Sequence, residues 1–150
     1  LDASQSIEIQ VFKFTAVPAA HELIDRDAQG RCLYLGYVVQ FGNFAIYHSG
    51  DTVLYDTMED LLRPFQVDLA LLPINGCDPK RGVAGNLNAP EAAQLGLAIS
   101  ARLVVPCHYD MFAFNTADPA DFAAAAKAIG QNFKVMENGE GIVIRRGEKR

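Results

Sequence analysis

Three side chains with metal-binding chemistry occupy corresponding places in the sequence: His21, Asp51 and His108. Each follows directly on an apolar run of strand type, where that run leaves the core. Side chains at strand ends on one edge of a sheet converge readily although they are far apart in sequence. Because imidazole and carboxylate groups bind zinc, iron or manganese, the pattern predicts part of a divalent metal site without choosing the metal. From spacing alone, isolated surface or core roles remain the alternative.

The elements that must position these residues follow from hydrophobic periodicity and turn signals. Strands are predicted at residues 6–16 (with a bulge near 11–12), 32–41, 44–47, 67–73 and 103–106, helices at 56–63, 89–100 and 118–130, and a terminal hairpin at 134–136 and 142–145. Pro18 is expected to end the first strand, and Asn88 is expected to cap the second helix. Alternating strands and helices with hairpins at both ends predict a mixed sheet with helices on its outer side.

The composition limits the partners of such a site. The chain has 150 residues, half of them hydrophobic, a net charge of −5 and no basic run longer than a pair, so we expect small-molecule partners, no nucleic acid and no membrane. Cys32, Cys77 and Cys107 are odd in number and far apart, which predicts free thiols in a reducing cytoplasm. The sequence carries no signal-peptide pattern, and its start at Leu1 is expected to be a boundary that has removed upstream residues.

Three segments carry a resemblance to a known family. Tyr47-His48-Ser49-Gly50-Asp51-Thr52 resembles the Y-H-x-G-D-T segment of the metallo-β-lactamase superfamily. Val17-Pro18-Ala19-Ala20-His21-Glu22 is similar to the histidine motif that precedes that segment, and Val105-Pro106-Cys107-His108-Tyr109 is similar to the last one. The resemblance implies an α/β fold, the αββα sandwich of two similar halves. Residues 1–150 would form the C-terminal half, a mixed β-sheet with helices on its outer face.

The resemblance also implies roles for the site residues. Asp51 would bridge two divalent ions, zinc or manganese with iron possible, while His21 and His108 would hold one ion each. Such ions polarise a carbonyl and lower the pKa of a bridging water. His48 would orient a ligand through a hydrogen bond, or it is a structural residue at a strand end. Cys107 adjoins His108, but no base can be placed beside it, so it is predicted to be buried and inert.

A narrower similarity concerns the substrate. The segments at residues 20–22, 73–76 and 106–112 are most similar to the L-ascorbate-6-phosphate lactonase family, which opens a phosphorylated sugar-acid lactone. Tyr109 is predicted to contact the substrate or to fix His108. In the glycine-rich loop at 74–87, Lys80 and Arg81 are predicted to clamp a phosphate, with solvated charges as the alternative. Weaker candidates in and beside this loop are Asn75, Asn86 and Asn88.

One departure from the superfamily pattern leaves other functions open. The first metal motif, H-x-H-x-D-H, is absent, since the three histidines of the chain, His21, His48 and His108, lie far apart in sequence. The isolated chain is therefore expected to hold metal poorly and to be inactive without an N-terminal half. The alternatives are a phosphodiesterase or nuclease of the same superfamily, and a non-catalytic half-domain that acts only by association. Apolar strands that exceed what the helices can hide predict association with the N-terminal half or a second copy of the chain.

Overall fold

Six strands form one mixed sheet whose spatial order follows the order of the sequence. The computed structural model describes residues 1–145. The first four strands pair antiparallel, and the last three pair parallel. The strands are β1 (Ser6–Ile9), β2 (Phe12–Pro18), β3 (Leu35–Phe41), β4 (Phe44–His48), β5 (Leu69–Pro73) and β6 (Leu103–Cys107). The predicted mixed α/β sheet is confirmed, including the end of β2 at Pro18.

The helices begin at the residues that the sequence marks as caps. They are α1 (Met58–Leu62), continued by a 3-10 turn at Arg63–Phe65, α2 (Ala89–Ala98) and α3 (Pro119–Ile129). The Asn88 side chain accepts from the backbone N–H of Glu91, and the Glu91 carboxylate accepts from the N–H of Asn88, so α2 starts with a capping box. No helix within residues 1–145 is long and apolar enough to cross a membrane.

The first predicted strand is two strands, so the predicted bulge is wrong. The chain reverses at Gln10 and Val11, and β1 pairs antiparallel with β2 so that Ile7 faces Phe14. Gln10 adopts a left-handed φ of 57° to make this turn. A bulge and a two-residue turn both shift the alternation by one, and without glycine or asparagine at the turn the sequence does not distinguish them.

The predicted terminal hairpin is also wrong. The Lys134 N–H donates to the carbonyl of Val104, and the Val104 N–H donates to the carbonyl of Asn132 (both 3.0 Å), so this segment lies beside β6 instead. The Asn138–Gly139 turn does form, with the Glu140 N–H donating to the carbonyl of Glu137, but residues 134–145 contain no strand. The backbone groups along the edge of β6 give this segment hydrogen-bond partners that a local hairpin would have to replace.

The two faces of the sheet differ in what covers them. On one face, side chains from β2 to β6 pack with all three helices in a single core; its largest members are Tyr47, Phe122, Met58, Leu62 and Leu72. The predicted position of the helices on an outer face is thus confirmed. The other face, which we call the open face, carries one row of cross-strand partners through all six strands: Ile7, Phe14, Val39, Ile46, Leu69 and Leu103. Of these six, only Leu69 is fully buried.

Candidate metal site at the carboxyl ends of the strands

The strand directions gather the predicted ligands at one edge of the sheet. Because β3 is antiparallel to both of its neighbours and β4, β5 and β6 are parallel, β2, β4, β5 and β6 all end at the same edge. His21 follows the end of β2, Asp51 follows β4 and His108 follows β6. Ligands of open α/β sheets bind outside the carboxyl ends of the strands, so the edge is a suitable place for a site.

Asp51 and His108 meet at this edge. Nε2 of His108 lies 3.4 Å from Oδ2 of Asp51, with the His108 side chain 17% exposed and the Asp51 side chain 44% exposed. His108 adopts a left-handed φ of 60°, uncommon for a residue other than glycine, which turns the chain sharply after β6. Its Nδ1 is buried and has no hydrogen-bond partner among the described residues. The His108 imidazole and the Asp51 carboxylate therefore lie close enough to act on one ligand, and Nδ1 of His108 makes no hydrogen bond to the described residues.

Close backbone packing shapes the loop that carries Asp51. A Cβ on Gly36 of β3 would lie 2.5 Å from the carbonyl oxygen of Ser49, so only glycine lets the loop approach this strand. The His48 side chain is exposed, and its Nδ1 accepts from the N–H of Gly50 at 3.0 Å. His48 therefore acts on the backbone of the residue before Asp51, and its Nδ1 must carry no proton to do so.

His21 is tied to the same loop through its neighbour. The N–H of Ala20 donates to the Thr52 hydroxyl at 3.0 Å, and the Val53 N–H donates to the carbonyl of Ala20 at 2.7 Å. The His21 ring meets Tyr34 edge to face, with ring centroids 5.1 Å apart. Its Nδ1 is buried and, like that of His108, without a hydrogen-bond partner within residues 1–145.

The three predicted ligands do not close into one cluster. Within the described chain, no three histidine, cysteine, aspartate or glutamate side chains are grouped so as to hold a metal ion. The structure brings Asp51 and His108 together, whereas His21 follows β2 and is joined to the Asp51 loop through the backbone of Ala20. The donor chemistry and the two unpaired buried imidazole nitrogens fit a metal site to which this chain contributes part of the ligands.

Cys107 lies beside the pair as a neutral thiol. Burial, and secondarily the negative charge of Asp51, raises the pKa of Cys107 to about 12. The residue is half-buried rather than fully buried as predicted. Since the thiolate is the nucleophilic form, a raised pKa agrees with the interpretation of Cys107 as inert.

The two residues predicted to bind phosphate, Lys80 and Arg81, differ from each other in their surroundings. Lys80 is exposed, whereas the guanidinium of Arg81 donates to protein oxygens. Arg81 and Asn75 line a cavity of about 680 Å³, whereas His108 and Tyr109 line a separate one of about 580 Å³. A phosphate role for either cation stays a prediction.

The other predicted polar residues have structural partners. The Tyr109 hydroxyl donates to the carbonyl of Met136 at 2.9 Å, and burial followed by the charge of Asp110 raises the pKa of Tyr109. Asn75 and Asn86 are buried and joined to each other by a hydrogen bond of 3.0 Å. Asn115, which sequence reasoning missed, accepts from Asn75 at 2.9 Å. Its position in an irregular loop, outside any periodic pattern, gives no signal in the sequence.

Comparison with known proteins identifies the family. The Beta-lactamase superfamily domain matches residues 1–109, almost three quarters of the chain and all three of the site motifs. The chain belongs to the metallo-β-lactamase superfamily. Its six-stranded sheet with three helices is the corresponding fold, and the match includes His21, Asp51 and His108.

Individual relatives agree with this membership. The chain is similar to a UPF0173 metal-dependent hydrolase of Rubrobacter xylanophilus, with 34% identity over 135 residues, covering 85% of this chain and 53% of the relative. A similar protein of Pelotomaculum thermopropionicum is 33% identical over 137 residues, covering 88% and 57%. The chain thus spans about half the length of the curated relatives that it matches.

A solved structure shows the same fold. Igni18, described as a novel metallo hydrolase from Ignicoccus hospitalis, superposes with a TM-score of 0.79 at 24% identity, covering 98% of this chain and 60% of that one. At this identity the likeness concerns the fold. The superfamily membership and the fold predicted from the motifs are both confirmed.

Proposed function

We propose that this chain is the C-terminal half of a metal-dependent hydrolase domain that opens a phosphorylated sugar-acid lactone. The observation that carries the proposal is the approach of His108 to Asp51 at the carboxyl edge of the sheet, and the buried Nδ1 atoms of His21 and His108, which have no hydrogen-bond partner within residues 1–145, support it. Membership of the superfamily and the names of the relatives, metal-dependent hydrolases, support the reaction class. The lactone rests on the similarity of the three short segments to the lactonase family.

The residues that would hold the ions are His21, Asp51 and His108, and Asp51 would be the shared ligand, since a carboxylate offers two donor oxygens. A divalent ion bound there supplies Lewis acidity toward a carbonyl and a bound water of lowered pKa. His48 holds the Gly50 N–H and so fixes the turn that presents Asp51. Because the Cys107 thiol is neutral, it adds no negative charge beside the Asp51 carboxylate.

The remaining ligands would come from a second half. The superfamily's H-x-H-x-D-H motif occurs nowhere in the 150 residues. The open face is apolar across all six strands, and Ile7 and Ile9 are 48% and 54% exposed. In a two-halved αββα sandwich this is the face that meets the other sheet. An N-terminal half would therefore both cover the face and complete the site, whereas a second copy of this chain would cover the face without supplying the missing motif.

The substrate is assigned as a small anionic lactone. Lys80 is the better placed of the two predicted cations, because it is exposed at the loop surface while Arg81 is engaged with protein oxygens. A nuclease function has less support. The net charge is −5 and the sequence has no basic run longer than a pair, so it predicts no positively charged surface that would bind a nucleic acid.

Steady-state kinetics on the domain with both halves present test this function. A phosphorylated lactone should be hydrolysed and a phosphodiester should not, and Asp51→Asn should abolish the activity. Lys80→Glu should raise KM for the phosphorylated lactone much more than for its unphosphorylated analogue, because only the former loses an ion pair. Exposed Asp56, outside the site, gives the matched control Asp56→Asn. Preference for the phosphodiester would contradict the lactonase assignment.

A further inference from the structure

The guanidinium of Arg81 joins the loop after β5 to the loop after β6. Its Nη1 donates to the carbonyl of Asn75 and, at 3.2 Å, to Oδ1 of Asn115, while Nη2 donates to the carbonyl of Thr116 at 3.3 Å. Arg81 itself lies in a short 3-10 turn, Pro79–Arg81, in the first of these loops. The planar fork of arginine is suited to binding several fixed acceptors at once. These contacts use the guanidinium inside the protein rather than toward solvent.

The second loop transmits this contact toward His108. The Thr116 hydroxyl accepts from the N–H of Asp110 at 2.8 Å, two residues after His108. Both His108 and Asp110 have left-handed φ angles, 60° and 56°, which cost energy in residues other than glycine. Such a backbone persists only when surrounding contacts hold it. The Asp110–Thr116 hydrogen bond, with Thr116 held by Arg81, is one of those contacts.

A buried amide network supports the same connection. Asn75 donates to Asn115 at 2.9 Å and accepts from Asn86 at 3.0 Å. All three asparagines are buried, so each of these hydrogen bonds would be costly to leave unmade. Arg81 contacts two members of the network, Asn75 and Asn115, and therefore connects it to Thr116.

We propose that Arg81 is a positioning residue that holds the loop from Asp110 to Thr116 and thereby keeps His108 turned toward Asp51. The consequence for metal binding rests on the function proposed above, whereas the consequence for the loop does not. This role differs from a phosphate clamp, because it predicts an effect on the loop and on metal affinity in the absence of any substrate.

Hydrogen exchange of the metal-free 150-residue chain tests the loop directly. In Arg81→Ala, peptides covering residues 108–116 should exchange about tenfold faster, because a hydrogen-bonded tether to a charged group is lost. Lys80→Ala, one residue away, should leave the rate unchanged. Peptides from β4 serve as the internal reference for global opening. Unchanged exchange at 108–116 in Arg81→Ala would overturn the proposal, and so would an acceleration equal to that of β4.

Thr116 provides a second pair of variants if Arg81→Ala does not fold. Thr116→Val removes the acceptor for the Asp110 N–H but keeps the carbonyl that Arg81 binds, and Thr116→Ser keeps both. The valine variant should accelerate exchange at 108–116 and the serine variant should not; equal behaviour of the two would contradict the connection through Thr116.

Zinc affinity of the domain with both halves present tests the link to the site. Arg81→Ala should weaken zinc binding by about tenfold, the size seen when supporting contacts of metal ligands are removed. Lys80→Ala should not. Faster exchange without any loss of zinc affinity would overturn the positioning role. If the wild-type domain binds no zinc, manganese or iron, the proposed function fails, while the exchange result still decides whether Arg81 holds the loop.

Discussion

Nε2 of His108 lies 3.4 Å from Oδ2 of Asp51, although one residue follows β6 and the other follows β4. A whole strand, β5, lies between these two strands in the sheet. The pairing of β4 with β5 continues one residue past the end of β4, where the Ser49 N–H donates to the carbonyl of Leu71 at 3.2 Å, and Asp51 follows two residues later. The left-handed turn at His108 meets it from the other side. Changes that disturb either loop should therefore act on the pair.

Gly36→Ala should disturb the loop that carries Asp51, although Gly36 lies on a neighbouring strand, β3. The new Cβ would lie 2.5 Å from the Ser49 carbonyl oxygen, a backbone atom that cannot simply rotate away. We expect the free energy of unfolding to fall by about 1–3 kcal/mol, as overpacking generally costs. Denaturant titration measures this. Gly141→Ala is the control, because no atom lies within 4 Å of its added Cβ. Equal midpoints for the two variants would contradict the close approach.

Two of the three thiols, Cys77 and Cys107, should differ in reactivity in the metal-free chain. Exposed Cys77 should react rapidly with a disulfide reagent at a pH of about 8, and Cys107 should react slowly, since its pKa is raised to about 12 by burial and then by Asp51. The sign follows from the thiolate being the reactive form, so the rate at Cys107 should keep rising with pH above the range where an ordinary thiol has levelled off. Cys77→Ser should remove the fast phase. A fast phase that persists in this variant would contradict the assignment.

The open face should make the isolated chain associate. Its partly exposed apolar row runs across the sheet, and such patches drive association. Light scattering should report a dimer or larger species at micromolar concentration. Val39→Lys, in the middle of the face, should reduce the mean mass, whereas Gln40→Lys, the next residue along β3 and pointing to the opposite face, should not. A monomeric wild-type chain would contradict the prediction.

The sequence predicts most of the fold because its signals are local. The strand end at Pro18 and the helix cap at Asn88 each act within a few residues, and both match the structure. The hairpin at Gln10 was missed because its turn lacks the residues that usually mark one. The terminal segment was misassigned because the edge of β6, far away in sequence, supplies its partners.

The site is predictable in a more limited way. The strand-end positions of His21, Asp51 and His108 follow from apolar runs that the sequence displays. The engagement of Arg81 by Asn75, Asn115 and Thr116 does not, because it joins two irregular loops whose relative placement depends on the whole sheet. A cation in a glycine-rich loop looks the same in sequence whether it faces a ligand or the protein.

Metal content after gel filtration tests the central claim, that this chain supplies part of a shared metal site. The chain alone should retain little zinc or manganese, because only Asp51 and His108 of its ligands are already together. A mixture with an N-terminal half carrying H-x-H-x-D-H should co-elute with bound metal and hydrolyse the phosphorylated lactone. Asp51→Ala should abolish both, and Asp56→Ala should change neither. If the chain alone elutes as a stable monomer with tightly bound, stoichiometric metal, the half-domain account is wrong.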